Sequence, residues 1–278
     1  DLSFSNLCSW RFLYDTQFAV IDDFLVFKFW ASEQLAYMMP VGNGDLKAVL
    51  RKLIEDADKE KHNFCMLGVC SNMRADLEAI LPERFIFTED RAYADYIYLR
   101  SDLATLKGKK FQAKRNHINR FRNTYPDYEY TPITPDRIQE CLDLEAEWCK
   151  VNNCDQQEGT GNERRALIYA LHNFEALGLT GGILHVNGKI VAFTFGMPIN
   201  HETFGVHVEK ADTSIDGAYA MINYEFANRI PEQYIYINRE EDLGIEGLRK
   251  AKLSYQPVTI LEKYMACLKD HPMDMVRW

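Results

Sequence analysis

Gly182-Ile-Leu-His-Val-Asn-Gly-Lys-Ile-Val-Ala-Phe-Thr-Phe195 sets two apolar runs on either side of Asn187-Gly188. Asn-Gly readily takes the two left-handed conformations of a type I′ turn, so the stretch reads as an antiparallel hairpin with a two-residue tip. Upstream, 128–133 alternates as a strand, and Thr134-Pro135-Asp136 supplies an N-cap, a Pro at the first helical position and an early acid. Ile138, Cys141, Leu142, Glu145, Trp148 and Val151 recur at helical spacing as far as Asn152. A second helix is expected from about 163 to 177, stopped by Gly178. Downstream come a strand over 203–209, a helix from Asp216-Gly217 to about Arg229, a strand over 234–238, a helix over 242–254 and a strand over 258–263. The order β-α-α-β-β-β-α-β-α-β makes an α/β fold, a mixed sheet with helices on both faces.

That order is the one found in GNAT acyltransferases. The first half carries a fainter version of it. Residues 18–20 and 25–30 flank Asp22-Asp23 as a hairpin, followed by a helix over 44–59, a strand over 65–69 and a helix over 72–81. Tyr96-Ile-Tyr98 before Asp102-Leu103 echoes Tyr234-Ile-Tyr236 before Asp242-Leu243. These echoes predict a tandem duplication of two GNAT-like domains, 1–106 and 107–278, with the site expected in the second.

With 278 residues, 47% hydrophobic and 26% charged, the chain is long enough to bury a core without staples. The apolar window at 18–30 is broken by Asp22, Asp23 and Lys28, and is too short for a membrane span. Asp1-Leu-Ser-Phe-Ser lacks the basic and apolar regions of a signal peptide, and it also lacks Met, so residues upstream are expected. The 7 cysteines form no C-x-x-C pair and read as free thiols of a cytoplasmic protein. A net charge of −9 argues against DNA as a partner. Against that balance, 103–126 has no acid and carries Lys107, Lys109, Lys110, Lys114, Arg115, Arg120 and Arg122. A local basic strip on an acidic chain points to an anionic ligand.

The helix expected over 109–123 sets Lys114 and Arg115 within the apolar stripe of Phe111, Ile118 and Phe121, with Asn116, Asn119 and Asn123 on the adjoining edge. A cation on a buried face needs a partner or a ligand. Pairing with carboxylates and an anion-binding face between the halves both answer that need. The helix over 242–254 repeats the pattern with Lys252 beside Ile245, Leu248 and Tyr255, just after the polar cluster Asn238-Arg239-Glu240-Glu241-Asp242. Glu209-Lys210 ends a strand, and Asp216-Gly217-Ala218-Tyr219 opens a helix whose free N–H groups suit an anion or a carbonyl. On that helix Asn223 shares a face with Tyr219, Ile222 and Phe226. His201 and His207 have even spacing on one expected strand but lack a third ligand, so no metal site is expected.

Three segments, Leu106-Lys-Gly-Lys-Lys-Phe-Gln-Ala-Lys-Arg-Asn-His-Ile-Asn119, Val206-His-Val-Glu-Lys-Ala211 and Asn238-Arg-Glu-Glu-Asp-Leu-Gly-Ile-Glu-Gly-Leu-Arg-Lys-Ala-Lys-Leu-Ser-Tyr-Gln-Pro257, resemble the phosphatidylglycerol lysyltransferase C-terminal domain family. That family is related to the Fem-type peptidyltransferases, and the resemblance runs from about Leu2 to Tyr264. It implies transfer of an aminoacyl group from aminoacyl-tRNA to an amine or hydroxyl, often on a lipid. Two departures matter. The sequence has no membrane-embedded portion, so a small-molecule or peptide acceptor stands beside the lipid. It also lacks the Q/R-x-x-G-x-G phosphate loop, with only Gly217 at the helix start, which leaves the donor open between aminoacyl-tRNA and acyl-CoA. No permanently bound cofactor is expected.

Acyl transfer needs a base and donors aimed at a developing oxyanion. Glu209 is the expected base, with Asn223 or the N–H groups of Gly217-Ala218 at the oxyanion and Tyr255 returning a proton. Lys114, Arg115, Asn119, Lys210, Gly217, Tyr219, Asn238, Arg239, Asp242 and Lys252 are the expected substrate- and anion-binding residues. A non-catalytic GNAT-fold module binding a small anion or an RNA end is the second reading. An ordinary acyl-CoA N-acetyltransferase is the third.

Overall fold

A computed structural model describes residues 3–31, 33–152 and 158–269. The chain opens with α1 (Phe4–Ser9), α2 (Arg11–Tyr14), and the hairpin of β1 (Gln17–Ile21) and β2 (Phe24–Ala31). β3 (Gln34–Tyr37), β4 (Val41–Gly42), α3 (Leu46–Lys59), β5 (Cys65–Val69), α4 (Ser71–Ile80), β6 (Phe85–Glu89), β7 (Asp95–Leu99) and α5 (Arg100–Thr105) follow. After α6 (Gln112–Thr124) come β8 (Glu129–Pro132), α7 (Ile138–Asn152), α8 (Glu158–His172), β9 (Thr180–Val186) and β10 (Lys189–Pro198). β11 (Thr203–Ala211), α9 (Ala218–Ala227), β12 (Tyr236–Asn238), α10 (Glu246–Leu253), β13 (Thr259–Leu261) and β14 (Tyr264–Leu268) complete the described chain.

The strands form two sheets, β1-β2-β3-β5-β14-β6 with β4 beside β2, and β13-β7-β12-β11-β10-β9-β8. Each sheet has an antiparallel three-stranded meander, then a parallel neighbour, then an antiparallel one: β3 with β5 and β14 in the first, β11 with β12 and β7 in the second. This shared order is the tandem GNAT-like architecture. The two hairpins correspond as expected, and Asn187 and Gly188 both take positive φ at the tip.

The Tyr-Ile-Tyr echo has no counterpart in the strands: Tyr96-Ile97-Tyr98 lies within β7, whereas only Tyr236 of the second copy belongs to β12. The two strands are antiparallel neighbours in one sheet, with Tyr98 opposite Ile237. The strand matching β7 in the other sheet is β14, so the two sheets exchange their late strands along the chain. The compact units accordingly comprise 1–9 with 96–260 and 10–95 with 261–278, a different division from 1–106 and 107–278.

In the larger unit, alternate strand residues feed two cores. Leu184, Val186, Ala192, Phe204 and Val206 pack with α9 and α6, while Ile183, Phe193 and Phe195 pack with α7 and α8. Each fully buried aliphatic or aromatic side chain contributes about 1.5–3 kcal/mol. The pairing of β10 with β11 slips at one point: Phe195 opposes Val208 and Gly196 opposes Val206, so His207 is an extra residue on β11. A bulge of this kind inverts the facing of every later side chain. Val206 faces α9, Val208 faces α7, and Glu209 therefore returns to the α9 side. His201, expected on the same strand face as His207, lies in the turn before β11 and is exposed.

Two further expectations change. Residues 242–245 form a turn before α10, with Leu243 and Gly244 at positive φ, because the Asp242 carboxylate accepts hydrogen bonds from Arg249, Tyr96 and the Gly244 N–H. Cys65 and Cys267, taken as free thiols, are Cα partners across β5 and β14 and are joined by a disulfide between positions 202 residues apart. No local pattern announces such a pair. Cys149 is also disulfide-bonded, whereas Cys70 and Cys141 are free thiols.

Asp242 and Gly217 offer two tests of this frame. Asp242→Asn should cost about 2 kcal/mol in urea unfolding at pH 7, since it breaks a pair with one buried partner. The Arg249 hydrogen bonds hold the Asp242 carboxyl well below the usual carboxylate range. The wild-type advantage is therefore complete above about pH 4 and shrinks only in strongly acidic solution. Gly217 sits at φ 84, where an added Cβ would lie 3.0 Å from the His117 carbonyl oxygen and 3.2 Å from Phe121 Cβ. Gly217→Ala should cost about 1–2 kcal/mol, read as a melting point lower by several degrees.

Candidate active site

β11 and β12 run in parallel only from Thr203 opposite Tyr236 to Gly205 opposite Asn238. Beyond that point β11 continues to Ala211 paired with β10 and without β12 beside it. Glu209 lies in this stretch, and the bulge has turned it toward α9. Its Oε1 accepts from Arg239 Nη2 at 2.9 Å and its Oε2 accepts from Asn223 Nδ2 at 3.1 Å. Both members of the Glu209–Arg239 pair are largely buried.

Arg239 leaves β12 under tight constraint. Lys252 Nζ donates to the carbonyl oxygens of Arg239, Glu240 and Glu241, the last two at 3.1 and 2.6 Å. Tyr98 donates its hydroxyl to the Lys252 carbonyl at 2.9 Å. The guanidinium lies 4.9 Å from the Tyr255 ring centre and 5.7 Å from that of Tyr98. Burial opposes its charge, and the Glu209 carboxylate offsets that cost, so the group stays protonated.

Two polar atoms in this cluster have no partner among the described residues. Arg239 Nη1, a donor, and Asn223 Oδ1, an acceptor, are buried on either side of Glu209. Lys114 completes the group from α6, with Nζ 3.9 Å above the Tyr255 ring. Burial, and next the nearby Arg239 charge, bring its pKa down to about 8, while Glu209 acts in the opposite direction. Burial raises the Tyr255 hydroxyl far enough to keep it protonated across the neutral range.

Glu209, Asn223, Arg239, Lys114 and Tyr255 thus meet, with Lys252 supporting them from below. The other expected residues are placed differently. Arg115 turns to the carbonyl oxygens of Leu106 and Gly108 and to Gln112, which closes the start of α6. Asn119 is exposed on α6. Asn238 is buried and accepts from the Glu240 N–H, while Asp242 is fully buried in its pair with Arg249.

Lys210 faces the opposite side of β11, paired with Glu163 at 2.8 Å and 3.6 Å above the Trp148 ring. Tyr219 OH accepts from Trp148 Nε1 at 3.2 Å. At Gly217 it is α6 that makes the close approach, and the Ala218 N–H already donates to the Ile215 carbonyl, so it offers no oxyanion donor. Sequence reading missed Tyr98, whose role depends on the exchanged strand. It also missed the buried pair of His207 Nδ1 with Glu240 at 2.7 Å, which Asn6 of α1 joins. A cavity of about 430 Å³ lies at the other end of β11, lined by Tyr130, Phe204, Phe226, Arg229 and Tyr234 among others, and it contains none of the expected site residues.

No helix among the described residues is long and apolar enough to cross a membrane. A family model for the C-terminal region of phosphatidylglycerol lysyltransferase matches residues 1–267. A curated relative, an uncharacterised protein of Mycoplasmoides gallisepticum, is 25% identical over 177 residues, 62% of this chain. The chain spans about half (55%) of that relative's length.

Among solved structures, the C-terminal domain of a putative lysylphosphatidylglycerol synthetase from Agrobacterium fabrum aligns with a TM-score of 0.72 at 13% identity, covering 96% of this chain and 87% of that one. L-PGS from Bacillus licheniformis aligns at 0.67 and 18% identity, covering 96% and 88%. A tandem GNAT protein from the clavulanic acid biosynthesis pathway aligns at 0.50 and 11%, covering 90% and 80%. These likenesses agree with the two-sheet order in fold. The match over nearly the whole sequence places this chain in the phosphatidylglycerol lysyltransferase C-terminal family, whose GNAT-like fold is that of acyltransferases.

Proposed function

We propose that this chain transfers an activated aminoacyl group, carried by tRNA, to an amine or hydroxyl acceptor. The observation that carries the reading is the pair of buried, unpartnered atoms of opposite polarity beside Glu209. A tetrahedral intermediate requires a donor at its oxyanion, which Arg239 Nη1 supplies. A free α-amino group requires an acceptor, which Asn223 Oδ1 supplies. A simple acetyl group would leave Asn223 Oδ1 unpaired, at a cost of about 1–3 kcal/mol.

Glu209, expected as the base, has both oxygens engaged, and its first task is to fix Arg239 and Asn223 in register with each other. The start of α9 argues against acyl-CoA. The Ala218 N–H is taken and α6 approaches Gly217 closely, which leaves less of a backbone cradle for a pyrophosphate there. The basic strip of α6 and the segment before it suits a polyanionic donor, with Lys107 and Lys109 exposed. Family membership favours a lipid headgroup as acceptor, alongside a small amine or a peptide.

The test is a transfer assay with lysyl-tRNA, alanyl-tRNA or acetyl-CoA as donor, and phosphatidylglycerol vesicles or a free amine as acceptor. Transfer from a charged tRNA is the expected result, and Arg239→Lys should lower its rate about 10²–10³-fold, the usual loss when one oxyanion donor is removed. Transfer from acetyl-CoA alone would return the chain to the N-acetyltransferases. Binding of charged tRNA without transfer to any acceptor would make it a binding module.

A further inference from the structure

Lys114 is the one cation of the cluster for which no hydrogen bond or ion pair is found among the described residues. Several cations near it in sequence and in space are paired. Lys110 pairs with Asp102, Arg115 holds backbone carbonyls, Arg120 pairs with Asp216, Lys210 pairs with Glu163, and Lys252 collects three carbonyls. Lys114 has instead the face of Tyr255, and it shares that ring with the Arg239 guanidinium. Two cations on one ring, with a single carboxylate already bonded to one of them, disfavour the charged form of the other.

We propose that Lys114 is a further catalytic residue, the neutral amine that takes the proton from the attacking acceptor. The inference rests on the acyl-transfer reading above. The acceptor's amine or hydroxyl attacks the ester carbonyl, a new bond to the carbonyl carbon forms, and the acceptor's proton passes to Lys114 Nζ. The oxyanion that forms is met by Arg239 Nη1. As the tetrahedral intermediate collapses, the carbon–oxygen bond to the donor breaks, and the ammonium of Lys114 returns the proton to the leaving ribose oxygen. Lys114 ends as it began, and no further reactant is consumed.

The electrostatic surroundings agree. From α6 itself Arg115 points away to carbonyls; from β11 comes Glu209, after β12 Arg239, from β7 Tyr98, from α10 Lys252, and after α10 Tyr255. Glu209 is the sole carboxylate identified as acting on Lys114, and it favours the ammonium, whereas burial and Arg239 favour the amine and prevail. A group with pKa near 8 is neutral in roughly a tenth of molecules at pH 7, against fewer than one in a thousand for an ordinary lysine.

The experiment is competitive acetylation of all lysines with trace acetic anhydride across pH 6–11, read by mass spectrometry, alongside the pH dependence of transfer from lysyl-tRNA. Lys114 should titrate near pH 8, and the rising limb of transfer should follow it. Arg239→Gln removes a neighbouring cation and should move the midpoint up. Glu209→Gln removes the anion and should move it down. Lys114→Arg keeps the charge but not the base, so it should lower transfer at least 100-fold while retaining charged tRNA within a few fold on filters.

A Lys114 midpoint in the ordinary lysine range overturns the proposal whatever donor works. So does full activity of Lys114→Arg, which would reassign Lys114 to holding an anion and leave the transferase reading standing. A midpoint near 8 with no transfer from any donor would instead bring down the transferase reading, and the base role with it.

Discussion

The extra residue on β11 at His207 is the constraint on which the site depends. Strand side chains alternate strictly, so 204, 206 and 208 would otherwise share a face and Glu209 would point toward α7. One inserted residue inverts that parity. Glu209 then meets Asn223 of α9, and Lys210 meets Trp148 and Glu163 on the other side. His207 itself is anchored by Glu240, the residue after Arg239. The bulge on one strand and the exit of the next are therefore tied together across the gap between them, with Arg239 to Glu209 on one face and Glu240 to His207 as a second tie.

A buried ammonium holds that exit in shape. The three carbonyls gathered by Lys252 leave Arg239, Glu240 and Glu241 little freedom, and the buried carboxylate of Asp242 fixes the next residue through Arg249 and Tyr96. Such polar groups are stable inside a protein only when their hydrogen bonds are made. Arg239 Nη1 and Asn223 Oδ1 break that rule within the network, as does Nε2 of the neighbouring His207. Sites that must bind something commonly carry an unmet local demand, which the surrounding structure sustains.

Local chemistry was legible. Asn187-Gly188 announced its turn, the Asp22-Asp23 hairpin was found, and the strand over 65–69 matches β5. The site was legible where residue type and burial conflict, as at Lys114, Asn223 and Lys252. It was not legible where the answer depends on distant parts of the chain. Arg115 and Lys114 are adjacent on the same helix, yet only the positions of the Leu106 carbonyl and the Tyr255 ring decide that one closes the helix start and the other lies over an aromatic face. The facing of Glu209 turns on a register slip against β10, which leaves no local mark. The resemblance between 96–98 and 234–236 is one of letters alone, since the first triplet lies within β7 and the second reaches β12 only at Tyr236.

The exchange of β7 and β14 has a consequence for how the molecule comes into being. β14 lies between β5 and β6 as an interior strand of the smaller unit, although its residues are translated only after residues 96–260 of the larger one. While the ribosome is still making the chain, residues 10–95 have a sheet with a gap, and the facing edges of β5 and β6 are open to any strand that reaches them first. Contacts closed over some 200 residues are slow to form, and until they do the nascent protein offers a templating edge to other copies of itself. The duplicated fold therefore matures as a whole, and its period of greatest exposure to misassembly ends only when β14 arrives.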